Sequence, residues 1–424
     1  MNKTPTQGKS HPLTPFFIFW TGQALSLVGS ILVQFVLIWW LTESSGSATV
    51  LAFASMMEVL PRIFISPIAG ALVDRWNRRT IMIVADSLIA LALIVLMILY
   101  ALDAIQIWHI YVVLFLRAIG GAFHWPAMQA STTLMVPERH LARVAGMHQT
   151  LQGLMIIVAP PLGALLFSIL PMEQVLAIDV VTALMAIGPL LFIRIPQPKS
   201  EKSRKIESKE IPVISELREG LNFMRGWTGL IIILVVAAIY NFLSNPAFTF
   251  VPLMVRNHFG GGAIQLGWVQ SAFGVGVLVG GLTLSIWGGF KRRMVTVNLA
   301  FILGGLCFAI IGLLPENGIL LAIGIAFFIG FFYPILNGSL MAVMQASVPP
   351  AMQGRVFTLL ISVTGAVTPL GLMVAGPVGD TLGIPSWYLI SGLMTVLMGA
   401  IMFFVPAAIR IEDYVNGEKN SKSN

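Results

Sequence analysis

The chain has 424 residues, of which 57% are hydrophobic and 10% charged, with a mean hydropathy of +0.88, whereas a soluble domain carries about 25% charged residues. That deficit excludes an ordinary water-facing surface, because a charge at mid-depth in hydrocarbon costs about 3 kcal/mol or more. Cys307 is the only cysteine, which excludes an internal disulfide and a cysteine metal site within one chain.

The net charge of +7 raises nucleic acid as a partner, so the placement of the basic residues has to decide, and it argues for membrane topology instead. Only helices and closed barrels satisfy their backbone in lipid, and the apolar runs here reach about 20 residues rather than 10-residue alternating strands. The expected fold class is an all-α membrane protein. Its apolar runs predict twelve spans near 15–41, 49–73, 80–101, 107–134, 145–170, 174–194, 227–252, 264–288, 294–314, 318–346, 355–378 and 386–409. The first run, from Leu13 to Leu41, is too long for a signal-peptide core and reads as a span.

An even count puts both termini on one side, and short cytoplasmic loops hold the excess of Lys and Arg. One face takes Lys3, Lys9, Arg75, Arg78, Arg79, Arg139, Arg143, the 194–225 segment, Lys291, Arg292, Arg293, Arg355, Arg410, Lys419 and Lys422. The other takes Arg256 alone, with Glu43, Asp103, Glu173, Glu316 and Asp380. Both termini are therefore expected in the cytoplasm.

Span one carries Gln23, Ser30 and Gln34, with Trp20 nearby. In span two, Glu58 precedes Arg62 by four residues on one helical face, so the acid is either a proton carrier or neutralised by its neighbour. The loop that follows reads Gly70-Ala71-Leu72-Val73-Asp74-Arg75-Trp76-Asn77-Arg78-Arg79. It resembles the loop 2–3 motif of the major facilitator superfamily, G-x-L-x-D-R-x-G-R-R/K, with Asn77 in place of the second Gly. The resemblance implies a gating role for Gly70, Asp74, Arg75, Arg78 and Arg79. Asp74 would then face the N-terminal end of span eleven near Arg355. Asn77 is expected to keep the turn through a left-handed backbone, and Gly70 to allow close helix approach. The bland alternative is a basic anchor with a capping Asp.

Asp86 in span three lies two turns past Arg79 and reads as part of the same charge cluster. Span four holds Arg117, Gly121, His124 and Met128 on one stripe, with Pro126 as a kink. Arg117-Ala118-Ile119-Gly120-Gly121 is similar to the R-x-x-x-G motif of proton-coupled members, which makes Arg117 a coupling candidate; backbone carbonyls alone would also satisfy it. Ala159-Pro160-Pro161-Leu162-Gly163-Ala164 in span five resembles the G-P-x-x-G-G antiporter motif with both flanking Gly replaced. In span six Asp179 has no charged partner nearby in sequence, and with Glu58 it is the other candidate proton carrier.

Residues 196–226 form the longest polar stretch and read as a cytoplasmic linker between 1–195 and 227–410, with a tail at 411–424. Within the linker, Ile211, Ile214, Leu217, Leu221 and Met224 fall at helical spacing, either a helix in the membrane interface or a solvated linker helix. Asn241, Ser244 and Asn245 on span seven, and Tyr333 and Asn337 on span ten, are candidate cavity residues with Gln23, Ser30, Gln34 and His124. Phe248, Phe331 and Phe332 would suit such a cavity to a bulky, partly apolar solute. Gly274, Gly276 and Gly280 in span eight read as a packing face, and Gly8-Lys9-Ser10 lacks the first Gly of a phosphate loop.

Val136-Pro137 and Arg143-Val144 recur as Val348-Pro349 and Arg355-Val356, a shift of 212 residues. The chain therefore reads as two pseudo-symmetric six-helix bundles, the major facilitator fold, flanking a polar hollow at mid-bilayer. More narrowly, Leu116 to Gly120, Ala122-Phe123-His124, Val136-Pro137-Glu138, Ala177 to Val180 and Gly354 to Phe357 resemble the macrolide-efflux branch of drug:proton antiporters. That resemblance implies a monomeric exporter of small amphipathic molecules in a bacterial inner membrane, exchanging them for protons and needing no cofactor. Siderophore or metabolite export, lysophospholipid transport and uptake remain alternatives. So does a non-transporting accessory protein, and a partnership with an ATP-driven pump. No catalytic pair or metal-spaced cluster stands out.

Overall fold

The computed structural model describes residues 13–195 and 213–406. The expectations placed on Lys3, Gly8-Lys9-Ser10, Ile211, Arg410, Lys419, Lys422, most of the linker and the 411–424 tail lie outside those residues.

The described chain is helical, without strands. The first six helices are α1 (Thr14–Ser45), α2 (Ala48–Arg75), α3 (Arg78–Ala101), α4 (Ile107–Met135), α5 (Glu138–Ile169) and α6 (Met172–Phe192). After α7 (Val213–Arg225) comes α8 (Thr228–Thr249), then a short α9 (Val251–Leu253) that runs into a π turn over Met254–His258. The last five are α10 (Ala263–Trp287), α11 (Arg293–Leu313), α12 (Ile319–Ser347), α13 (Pro350–Leu382) and α14 (Ile384–Phe403). Among the described residues, twelve helices are long and apolar enough to cross a membrane: α1–α6, α8 and α10–α14. Large apolar side chains such as Phe64, Ile286, Leu320 and Phe192 are exposed on them, as expected of surfaces solvated by acyl chains.

Several boundaries differ from the hydropathy reading for a physical reason. α5 begins at Glu138 rather than 145 and α13 at Pro350 rather than 355, because helices continue into water beyond the apolar stretch that hydropathy detects. α14 ends at Phe403, short of 409. The recurring Val-Pro pair makes the same turn twice: Val136 ends α4 at φ −109°, ψ 127°, and Val348 ends α12 at φ −103°, ψ 125°. Pro126, Pro160, Pro161 and Pro334 each remove a backbone donor inside a helix.

By proximity the chain forms two compact units, one of residues 1–33, 64–154 and 170–200 and the other of 34–63, 155–169 and 201–424. The core of the first gathers Phe16, Phe19, Val73, Met82, Val136 and Leu190. The core of the second gathers Met224, Leu230, Met294, Val297, Val343 and Val356. Met224 is fully buried there, so α7 docks on its own unit rather than running free as a solvated helix.

Candidate functional site

In the first unit Arg117 and Asp179 form the most buried ion pair described, at 2.6 Å, with side chains only 11% and 1% exposed. Arg117 Nη2 also donates to the carbonyl of Ser30 at 2.8 Å, and the Ser30 hydroxyl donates to Asp179 Oδ1 at 2.9 Å. The arrangement needs α1 close to α6. Gly29 provides that: a Cβ there would sit 2.1 Å from Thr182 Oγ1 and 3.2 Å from the Asp179 Cα. An isolated charge in this setting would be costly, but here each is paired and hydrogen-bonded. The Asp179 carboxylate is thus held by one ion pair and one hydroxyl, both inside the unit.

Toward the basic end of the same unit, Asp86 Oδ1 lies 3.4 Å from His124 Nε2. Asp86 is therefore buried against α4 rather than joining the charged loop, and His124 faces an acid rather than only a solute space. The motif loop is exposed: Asp74 is 77% exposed and lies 3.6 Å from Arg78, which donates to the carbonyl of Ala130. Arg79 donates to the carbonyl of Leu191. Two expectations for this loop need correction. Asn77 adopts φ −69°, ψ 110°, and its side chain caps α3 by accepting from the N–H groups of Arg79 and Thr80, so the turn requires a capping side chain, not a left-handed residue. At Gly70 a Cβ would meet nothing within 4 Å, so no close approach depends on it. Beside the loop, Trp76 stacks on Phe123 along an apolar hollow of about 480 Å³ lined also by Val84, Leu88 and Ile119.

Gln23 is buried in the first unit with its Nε2 unbonded. In the second unit Gln34 donates to Glu58, giving that acid a partner on α1. Asn245 donates to Asn241 and to Thr368, and Asn241 to the carbonyl of Ala237. Asn337 donates to the carbonyl of Tyr333. All but the Asn245–Thr368 bond, which joins α8 to α13, run back along a single helix. Around them stands an aromatic cluster: Phe248 meets Phe273, Phe308 and Tyr333 edge-on at 5.4, 5.5 and 6.3 Å. Phe273 and Phe308 escaped sequence reasoning because an aromatic within an apolar helix carries no periodic signal of its own. The glycines of α10 are a packing face: a Cβ at Gly276 or Gly280 would lie 2.0 Å from the carbonyl of Phe327 or Phe331.

A latch closes the acidic end of the second unit. Asp380 Oδ1 accepts from the N–H of Ala48 at 2.6 Å, and Oδ2 from Thr49 N–H at 3.1 Å and the Ser47 hydroxyl at 2.9 Å. Asn257 donates to the carbonyl of Gly46, Ser271 to that of Ile157, and Ser55 to the hydroxyl of Thr249. Below it the backbone of Pro161 packs on Gly267, where a Cβ would sit 3.0 Å from the proline Cα. The latch joins the ends of α1, α2 and α5 to α8, α10, α13 and the π turn. Among the described residues, no three His, Cys, Asp or Glu side chains gather as a metal ion would require.

Membrane-spanning helices, proline-kinked packing and a buried ion pair are the parts of a carrier, and residues 19–371 match the Major Facilitator Superfamily. The chain belongs to that superfamily. This superfamily member is 35% identical over 386 residues to Macrolide efflux protein A of Streptococcus pyogenes, a match covering 91% of this chain and 94% of the relative. It is 28% identical over 387 residues to Multidrug efflux pump Tap of Mycolicibacterium fortuitum, covering 87% and 90%. Among solved structures it is similar to a mutant of nucleoside transporter NupG, at 14% identity and a TM-score of 0.68 over 91% of this chain and 98% of that one. A bacterial homologue of iron transporter ferroportin in the inward-facing state matches at 13% identity and a TM-score of 0.67, over 92% and 98%. These likenesses show the fold: the major facilitator superfamily member is a multi-pass membrane protein, with twelve helices among the described residues long and apolar enough to span.

Proposed function

We propose that this protein exports amphipathic small molecules, macrolide-like compounds among them, in exchange for protons by alternating access. Its basic end and both termini would lie in the cytoplasm of a bacterial inner membrane. The substrate class rests on the names of its relatives, which concern macrolide and multidrug efflux. The coupling rests on one observation, the Arg117–Asp179 pair buried inside a membrane-spanning unit.

Protonation of Asp179 neutralises the carboxylate, removes the counter-charge of Arg117 and weakens the grip of Ser30 on both. The pair thus has two arrangements of different charge, which a proton selects. Inward proton flow supplies about 2.3 kcal/mol per charge per 100 mV, plus the pH term. At the acidic end the Asp380 latch is in its joined form, and a cycle of alternating access requires it to part. The two six-helix halves, 1–195 and 227–410, are the bodies proposed to rock, with 196–226 linking them.

The test is flux of a radiolabelled macrolide in everted membrane vesicles under imposed pH gradients, with Asp179→Asn as control. Accumulation driven by an inside-acid gradient, and lost in the variant, is the expected result. Exchange indifferent to the gradient sinks the antiport reading, and uptake in right-side-out vesicles sinks export.

A further inference from the structure

Asp86 and His124 are titratable, buried and unused by the Arg117–Asp179 pair. Asp86 Oδ1 and His124 Nε2 lie 3.4 Å apart, with side chains 7% and 18% exposed. Asp86 Oδ2 and His124 Nε2 are buried without a hydrogen-bond partner. If both groups lost their protons, a bare carboxylate would remain in a low-dielectric interior, which is costly. With one proton, on either group, the site is neutral overall; with two it carries a positive charge. The pair is therefore a place where one proton matters energetically, and imidazole is the side chain that changes charge between about pH 5 and 8.

Several charged groups on the neighbouring helices have partners of their own: Arg79 donates to the carbonyl of Leu191 and Arg139 to His140, while Glu138 and Arg143 lie at the start of α5. On α3 and the end of α2, Arg78 is 3.6 Å from Asp74. On α4 and α6, Arg117 is held by Asp179, while Glu173 lies in the first turn of α6 at the acidic end. On α5, His148 packs against Trp125 and bonds Gln152. The part of α1 before Val33 carries no charge.

Position completes the case. His124 is seven residues beyond Arg117 on the same stripe of α4, about 10 Å along the axis at about 1.5 Å per residue. Between them Gly121 opens the stripe, since a Cβ there would meet nothing within 4 Å. That is space for water between the two sites.

The geometry points to Asp86–His124 as a second proton-binding station through which the transported proton leaves toward the basic end. This rests on the antiport reading above. The proton departs the Asp179 carboxyl, whose carboxylate re-forms its pair with Arg117, crosses water beside Gly121 and adds to His124 Nε2. Asp86 stabilises the imidazolium until it releases the proton to water.

The experiment is ¹⁵N-histidine NMR of the full chain in nanodiscs, with the His124 signal assigned by its loss in His124→Gln. The wild-type signal should pass from the charged to the neutral form across the pH series. Asp86→Asn should move that transition, because the carboxylate 3.4 Å away is the charge that faces the ring. In proteoliposomes Asp86→Asn and Gly121→Val should cut gradient-driven macrolide flux about tenfold. A His124 signal fixed in one form across the range, or a midpoint unmoved by Asp86→Asn, overturns the station even where wild-type flux follows the gradient. Wild-type flux that ignores the gradient overturns the antiport reading itself.

Discussion

Asp380, in the last turn of α13, caps the helix that begins at Ala48: its Oδ1 accepts the Ala48 N–H at 2.6 Å. A carboxylate at a helix N-terminus meets unpaired N–H groups and the positive end of the helix dipole, a contact worth about 1 kcal/mol. Asp380→Ala should therefore loosen the latch at the acidic end by about that amount. With Cys307 replaced by Ser and a reporter thiol introduced at the buried Ala52 by Ala52→Cys, labelling by a membrane-impermeant maleimide should rise several-fold in Asp380→Ala. Unchanged labelling would mean that Asp380 does not hold the latch closed.

Asp179 and Arg117 make opposite demands on their substitutions. Asp179→Asn also removes the counter-charge of Arg117 but keeps an oxygen to accept its N–H and fills the same space, so it should cost less stability than Asp179→Ala and still lose gradient-driven flux. Asp179→Ala leaves Arg117 buried without its counter-ion, which costs about 3–5 kcal/mol. Removing both in Asp179→Ala/Arg117→Ala should recover most of that stability but none of the coupling. Thermal unfolding in detergent, read beside flux, separates the two effects; equal stability of the single and double variants would contradict the pairing.

The twelve spans were legible because hydrocarbon admits only long apolar runs between charged loops, and that signal is local. The site was less so. Arg117 and Asp179 each stood out as a charge in an apolar span, yet 62 residues separate them and nothing in the run of letters says that α4 and α6 bring them together. Glu58 is as prominent a charge in the sequence, and that Gln34 on α1 donates to it is equally invisible there. Asp86 was drawn toward Arg79 by nearness in sequence, whereas the fold turns it to His124 on the next, antiparallel helix. Asn77 was read for its tolerance of a left-handed backbone, but its side chain is the feature the turn uses. In each case the chemistry of the residue was readable and its partner was not, because partners come from packing.

Gly29 makes a sharper test of how α1 meets α6. In Gly29→Ala the new methyl would lie 2.1 Å from Thr182 Oγ1, closer than any real contact, so either Thr182 turns and gives up its bond to the Asp179 carbonyl or the helices separate and the Ser30–Asp179 bond stretches. Overpacking of this kind costs about 1–3 kcal/mol. Thr182→Ala removes the oxygen that the methyl strikes, leaving the Asp179 Cα at 3.2 Å, so the double variant should regain part of the loss. A coupling of about 0.5–3 kcal/mol in the thermodynamic cycle is expected. Strict additivity would show that the two positions do not touch.

α7 offers a case in which two contacts compete to explain one docking. Arg355 Nη1 meets Glu219 at 2.9 Å, but the side chains are 35% and 48% exposed. Such a pair contributes about 0–1 kcal/mol after screening. One residue on, Gly220 lies so close to α13 that a Cβ would sit 2.9 Å from the carbonyl of Arg355, and Met224 is fully buried in the core of the second unit. Truncating a buried Met costs about 2–5 kcal/mol. Packing, not charge, should therefore hold α7: Met224→Ala should lower the thermal midpoint clearly, while Glu219→Gln should scarcely move it even at low salt. The reverse order, with a strong salt dependence, would make the ion pair the true anchor.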